Sequence, residues 1–227
     1  VGGTARGGAV SRGEYRECRF EENQAITSTA KAPASGGAAN EGNFTDCLFL
    51  NNKSIAVGQS SGGAGNLGKY LNCLFRENLS QSLEGAAFGG ALSNAEGLNS
   101  TFLGNQAIGS SKGEAYGGAL WKGTYINCTL TLNRAFLSPK TEKNTDTANG
   151  DTAKLGPASV YGGGSYSGSF TNCIITGNSL SGDEIIGRDA FDASSSGGNV
   201  IGDAVNSRFE LGLNDFIGAQ AADVFGS

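Results

Sequence analysis

Cys73-Leu-Phe75-Arg-Glu-Asn78 decides the fold, because the chain repeats this pattern. The other versions are Cys18-Arg-Phe20-Glu-Glu-Asn23, Cys47-Leu-Phe49-Leu-Asn-Asn52, Ser100-Thr-Phe102-Leu-Gly-Asn105, Cys128-Thr-Leu130-Thr-Leu-Asn133 and Cys173-Ile-Ile175-Thr-Gly-Asn178. Every cysteine of the chain stands in this one slot, and Ser100 fills it once. That exchange marks the cysteines as small stacking residues before anything reactive.

Working outward, a Gly-Gly pair leads each unit: Gly7-Gly8, Gly36-Gly37, Gly62-Gly63, Gly89-Gly90, Gly117-Gly118 and Gly162-Gly163. Ala9, Ala38, Ala64, Ala91 and Ala119 follow the pair, with Gly164 in the sixth. Two or three residues ahead of the slot stands Tyr15, Phe44, Tyr70, Leu98, Tyr125 or Phe170. The slots recur after 29, 26, 27, 28 and 45 residues.

This period is too short for helix-pair repeats, and no 3.6-residue apolar stripe is sustained. Short Cys-x-Phe alternations separated by Gly or Asn read instead as strands. The expectation is an all-β chain, a parallel β-helix of about six to eight coils. It forms one domain over 1–227, each coil holding about three short strands. Residues 1–180 hold six regular repeats, interrupted by an insertion at about 136–160, and 181–227 form atypical C-terminal coils or a cap.

Equivalent positions of successive coils then lie about 4.8 Å apart and stack into ladders. The Cys18, Cys47, Cys73, Cys128 and Cys173 ladder and its Phe, Leu and Tyr companions should fill the bore. Asn23, Asn52, Asn78, Asn105, Asn133 and Asn178 should form a corner ladder, because Asn tolerates left-handed backbone and can bond its neighbours above and below. Five Asn-x-Ser/Thr sequences start at Asn43, Asn52, Asn78, Asn99 and Asn127, and they read as by-products of the repeat.

Gly-Gly-Ala-[Val/Leu] alternating with Phe-x-x-Asn resembles the repeat of chlamydial polymorphic outer-membrane proteins, over about residues 2–180. Many bacterial surface proteins with a right-handed β-helix share it. The stretch from Gly198-Asn-Val-Ile-Gly-Asp203 to Asn214-Asp-Phe-Ile-Gly218 resembles the C-terminal coils of secreted bacterial β-helix proteins that carry sorting anchors. The resemblance implies the right-handed form and a secreted or cell-surface location in a bacterium. It departs from the polymorphic proteins in carrying no outer-membrane translocator barrel. A passenger fragment or a different secreted relative would fit, with any leader already removed.

The net charge of −5 offers no basic footprint for nucleic acid. No apolar run is long enough for a transmembrane helix. The chain has no His and no Cys-x-x-C, so neither a zinc site nor a Ser/His/Asp or Cys/His catalytic set can be assembled. No cofactor is expected. Neighbouring cysteines could reach disulfide distance, but buried free thiols fit the ladder better.

Two regions break the repeat. One is the polar insertion, with Lys140 and Lys143, which reads as a tolerated loop or a binding face. The other is aromatic: Phe88, Tyr116 and Tyr161 precede the Gly-Gly pair, and Trp121 and Tyr166 follow it. Unless a bulge intervenes, strand alternation puts the two sets on opposite faces, so one set should be exposed and could contact a sugar ring or another protein; the alternative is that the rings extend or cover the core. Acids stack best at Glu22 and Glu77, with Asn51 between, and are densest from Asp183 to Asp192; both groups read as solvated charge.

The function expected is that of a non-catalytic extracellular rod, acting as an adhesin passenger or as a subunit that stacks end to end in a fibre. Its partner would be a host or cell-surface glycan or protein. The alternative is a carbohydrate-binding or polysaccharide-cleaving β-helix protein.

Overall fold

A computed structural model describes residues 3–29, 31–139, 159–181, 184–218, 220 and 224. The chain winds as a parallel β-solenoid of six full coils, and each coil contributes to four sheets, not the three strands expected. The first sheet runs from Ala5–Arg6 to Glu184–Ile186 and precedes each Gly-Gly pair. The second follows the pair. It uses two short strands in early coils, such as Val10–Ser11 and Glu14–Arg16, which fuse into Leu92–Leu98, Leu120–Ile126 and Ser165–Thr171. The third follows the cysteine slot, from Arg19–Glu21 to Phe216–Ile217. The fourth follows the ladder asparagine, from Gln24–Ile26 to Ser179–Ser181. A shorter seventh turn adds to the first three sheets, and Phe216–Ile217 begins the next.

The repeat sets the register. Phe20, Phe49, Phe75, Phe102, Leu130, Ile175 and Ile201 pair in succession, so one side-chain type recurs at one place in every coil. Phe20, Phe49, Phe75 and Phe102 stack with centroids 4.8 Å apart. Beside them Tyr15, Phe44 and Tyr70 stack at 5.1 and 4.9 Å and meet the first column edge-on. Edge-to-face and offset contacts each add about 0.5–1.5 kcal/mol beyond burial. This aromatic lobe, between the second and third sheets, is the main core.

The coil has a second, thinner lobe between the fourth and first sheets. Ala87, Ala107, Ala115, Ala135 and Val160 line it, and Ser54, Ser60 and Ser80 join by hydroxyl bonds of 3.0 Å. The Gly-Gly pair makes the waist between the lobes. Gly62 has φ of 60°, and a Cβ on Gly63 would lie 2.5 Å from the carbonyl carbon of Leu79, where the fourth sheet begins. Only a residue without a side chain lets the two backbones pass so closely.

Three expectations change. Leu98 does not stand in the bore. Gly97 pairs with Tyr70 and Tyr125, and Leu98 points outward, 39% exposed. The ladder asparagines do not take left-handed backbone themselves. The preceding residues do: Glu22, Asn51, Glu77 and Leu132 have φ of 54–57°. That corner turns the next side chain inward, and Asn52, Asn78, Asn105 and Asn133 are fully buried. Finally, the fourth sheet continues through Arg134–Leu137 and the first resumes at Ser159–Tyr161. The region expected as an insertion thus begins and ends in strands, and Lys140 and Lys143 lie outside the described residues.

Candidate functional site: an aromatic corner on two polar ladders

The asparagine ladder has a direction. The Asn52 backbone N–H and side-chain amide both donate to Asn78 Oδ1, at 3.0 and 2.9 Å. The same amide also donates back to the Phe20 carbonyl at 2.9 Å. Asn78, Asn105 and Asn133 repeat this set, each giving to the next coil and to the preceding one. Every buried donor of the ladder is therefore matched, as burial requires.

A chain of donors must end on an acceptor. Asn178 donates from its backbone and side chain to Asp189 Oδ1, and Asp189 Oδ2 accepts the Asp203 N–H at 2.6 Å. Asp189 is 2% exposed, so it is not the solvated charge expected of its acidic segment. Burial raises its pKa, and the bonds from Asn178 and Asp203 pull against that shift.

The cysteine slot ends in the same way. The Cys73 N–H donates to Ser100 Oγ, Cys173 N–H to Asn199 Oδ1 and Asn199 N–H to Asp215 Oδ1. Burial opposes ionisation of Asp215, but bonds from Ser195, Asn199 and Gly212 together outweigh it and hold the carboxyl below its usual range. Sequence reasoning missed both carboxylates. Asp215-Phe-Ile and Asn199-Val-Ile carry the slot-then-apolar-pair signal of Cys173-Ile-Ile. Asp189 carries no such signal, since it enters from the position that follows the Gly-Gly pair.

All five cysteines are free thiols. Cys47, Cys73 and Cys173 each donate to a carbonyl two residues earlier at 3.2–3.3 Å. Burial pushes the Cys73 thiol up to about 12. Among the described residues no group of three His, Cys, Asp or Glu side chains could hold a metal. None of their helices is long and apolar enough to cross a membrane.

The aromatic residues come together, contrary to the opposite faces expected. Phe88, Tyr116 and Tyr161 stack in one outer column at 5.2 Å. Trp121, Tyr166 and Phe191 are paired in a second column. The columns interleave: Phe88 meets Trp121 at 4.7 Å, Tyr116 meets Tyr166 at 4.7 Å and Tyr161 meets Phe191 at 5.2 Å. The reason is the waist. Gly117 has φ of 65°, and this left-handed turn resets the alternation so that Tyr116 and Trp121 share one outer corner. Phe191 is the ring that sequence reasoning did not include.

Charged groups rim the rings. Lys122 Nζ sits 4.5 Å over Trp121, and the Arg208 guanidinium 5.8 Å over Phe191. Burial raises the Tyr116 pKa, with help from Glu114, and the Tyr166 pKa, with help from Asp192. A cavity of about 340 Å³ opens here, lined by four of the rings with Lys122, Ser167 and Asp192. A second, of about 290 Å³, shares Ser167 and Asp192 and adds Arg208 and Glu210. A larger cavity of about 410 Å³ lies on the outer face of the second sheet, between Lys69 and Glu96 on one wall and Leu71, Leu98 and Ile126 on the other. Lys69 and Glu96 are already paired at 3.0 Å. Glu22 and Asn51 line an open polar hollow with Gln24 and Lys53, apart from the aromatic corner.

No protein-family model, curated protein or solved structure matches the chain.

Proposed function

We propose that the chain is a non-catalytic structural and adhesive rod, displayed outside a bacterial cell, whose aromatic corner makes the contacts. The observation that carries this reading is the corner itself. Six rings from coils four to seven form one cluster, five of them part-exposed, on a frame whose ladders satisfy their own donors. Aromatic side chains with little rotamer freedom, fixed on such a frame, suit recognition. The resemblance to bacterial surface β-helix repeats supports the extracellular location. The asparagine ladder ends at Asp189 and the cysteine-slot ladder at Asp215, while backbone pairing between coils continues to Phe216–Ile217.

The test is adhesion. Beads coated with the purified protein should bind cell or matrix surfaces, and Trp121→Ala with Tyr166→Ala should abolish the binding. Equal adhesion by the variant would sink the reading. Electron microscopy separates display, seen as short particles at all concentrations, from fibres.

A polysaccharide-cleaving reading is favoured by one observation: Asp192 and Glu210 line the same cavity as Arg208. Glycosidases work with two carboxyls across one bond. Reducing-sugar release that is lost in both Asp192→Asn and Glu210→Gln would establish it.

A further inference from the structure

We propose that the aromatic corner takes a neutral saccharide chain, bound lengthwise along the coil axis. This rests on the reading of the corner as the contact surface of the rod. The two cavities share Ser167 and Asp192, so they form one continuous run. The run begins at Phe88 in coil four and reaches Glu210 beyond coil seven. Its long direction follows the coils, where a ring recurs at each rung beside Lys122, Ser167 and Asp192 in turn. A linear polymer of like units can repeat its contacts along such a surface, whereas a compact ligand cannot.

The lining chooses the chemistry. Trp121 and Tyr166 supply apolar ring surface, which suits the C–H face of a sugar. Lys122 and Arg208 donate hydrogen bonds, Asp192 and Glu210 accept them, and Ser167 does both. A polyhydroxylated ligand needs both kinds of partner on each unit. Two cations and two acids line the run and Glu114 lies beside Tyr116, so no excess of positive charge draws an anionic polymer. A lipid chain would leave all five polar groups unpaired. The 410 Å³ groove on the second sheet offers less, since its two charged residues, Lys69 and Glu96, are already paired with each other.

The experiment is calorimetric and NMR titration of the full chain with linear neutral hexasaccharides (of glucose, xylose and mannose), with hexagalacturonate as the acidic counterpart. Expected are binding of a neutral hexasaccharide, weaker binding of its disaccharide, and loss of about tenfold or more in Trp121→Ala. Asp192→Asn, at an exposed position whose left-handed backbone (φ 51°) Asn tolerates, should weaken binding and keep the fold. Leu98→Ala, in the other groove, should bind as the parent does. The proposal is overturned if only hexagalacturonate binds, if no oligosaccharide binds, or if neutral binding survives both corner variants. The bead assay separates the two levels. Adhesion that depends on Trp121 but resists competition by neutral hexasaccharides keeps the contact surface and removes the saccharide. Adhesion indifferent to Trp121 removes both.

Discussion

Asn178 directs two hydrogen bonds, from its backbone at 3.0 Å and its side chain at 2.8 Å, onto one oxygen of Asp189. The ladder that starts at Asn23 therefore ends on a group with nothing left to donate. Asp189→Ala would strand these two buried donors, each worth about 1–3 kcal/mol when unpaired, and the part-buried Asp203 N–H as well. A large drop in the unfolding midpoint, measured by denaturant titration, is the expected result. Asp189→Asn should lose less. It keeps an acceptor for Asn178 but must face the Asp203 N–H with a second donor. Equal losses in the two variants would show that the acceptor at the ladder end does not matter.

The two terminal carboxylates should respond to pH in opposite senses. Asp189 has a raised folded pKa, so its contribution is complete below the ordinary Asp value of 3.8 and falls as pH rises through the raised value. Asp215 has a lowered folded pKa, so its contribution is complete above 3.8 and is lost as pH falls through the lowered value. Stability measured from pH 2 to pH 7 should therefore lose part of its acid limb in Asp215→Asn. The difference between Asp189→Asn and the parent should instead grow more favourable to the variant as pH rises above about 4. Parallel curves for both variants would contradict the assignment.

How far the sequence was legible follows from where repetition was present. Cys47, Phe49 and Asn52 recur in phase, so their stacking could be read without coordinates. The waist could not. Gly63 and Leu79 are sixteen residues apart, and only the coil geometry brings their backbones into contact. The aromatic corner was legible as a set of rings but not as one site, because alternation counts through Gly117 as if the strand were continuous. Asp189 was hidden for a related reason, since it reaches the asparagine ladder from another part of the coil.

Position along the ladder should set the cost of losing a rung. Asn78→Ala removes the acceptor of two Asn52 donors and the donor to Phe49 and Asn105. The two stranded buried donors alone suggest a loss of roughly 2–6 kcal/mol. Asn23 is part-buried, and among the described residues no preceding coil donates to it. Asn23→Ala should cost clearly less. Hydrogen exchange of the Asn52 amide would report the break directly in Asn78→Ala.

Gly97 interrupts the column of Tyr15, Phe44, Tyr70, Tyr125 and Phe170, and Tyr125 uses the space. A Cβ at position 97 would lie 2.7 Å from Tyr125 Cδ1. Gly97→Ala should therefore be destabilising by about 1–3 kcal/mol, the range for overpacking a close-packed core. Tyr125→Leu in the same chain should recover part of that loss by freeing the contact. Gly63→Ala has no such escape, because backbone of Leu79 rather than a ring blocks it, and it should not yield soluble folded protein. Additive losses for Gly97→Ala and Tyr125→Leu would place the clash elsewhere.

The cysteines provide a last measure of how rigid the frame is. Cys47, Cys73, Cys128 and Cys173 are at most 3% exposed, and Cys18, in the first coil, is part-exposed. Thiolate is the reactive form, and burial holds the Cys73 thiol near 12, so at pH 8 it presents almost no nucleophile. Alkylation followed by mass spectrometry should mark Cys18 first. The buried thiols should react only as coils open, at a rate that rises with denaturant. If coils unzip from the end, Cys47 should follow Cys18 and Cys73 should come later, since each coil is held chiefly by its neighbours. Simultaneous labelling of the four buried thiols would mean instead that the whole rod opens in one step.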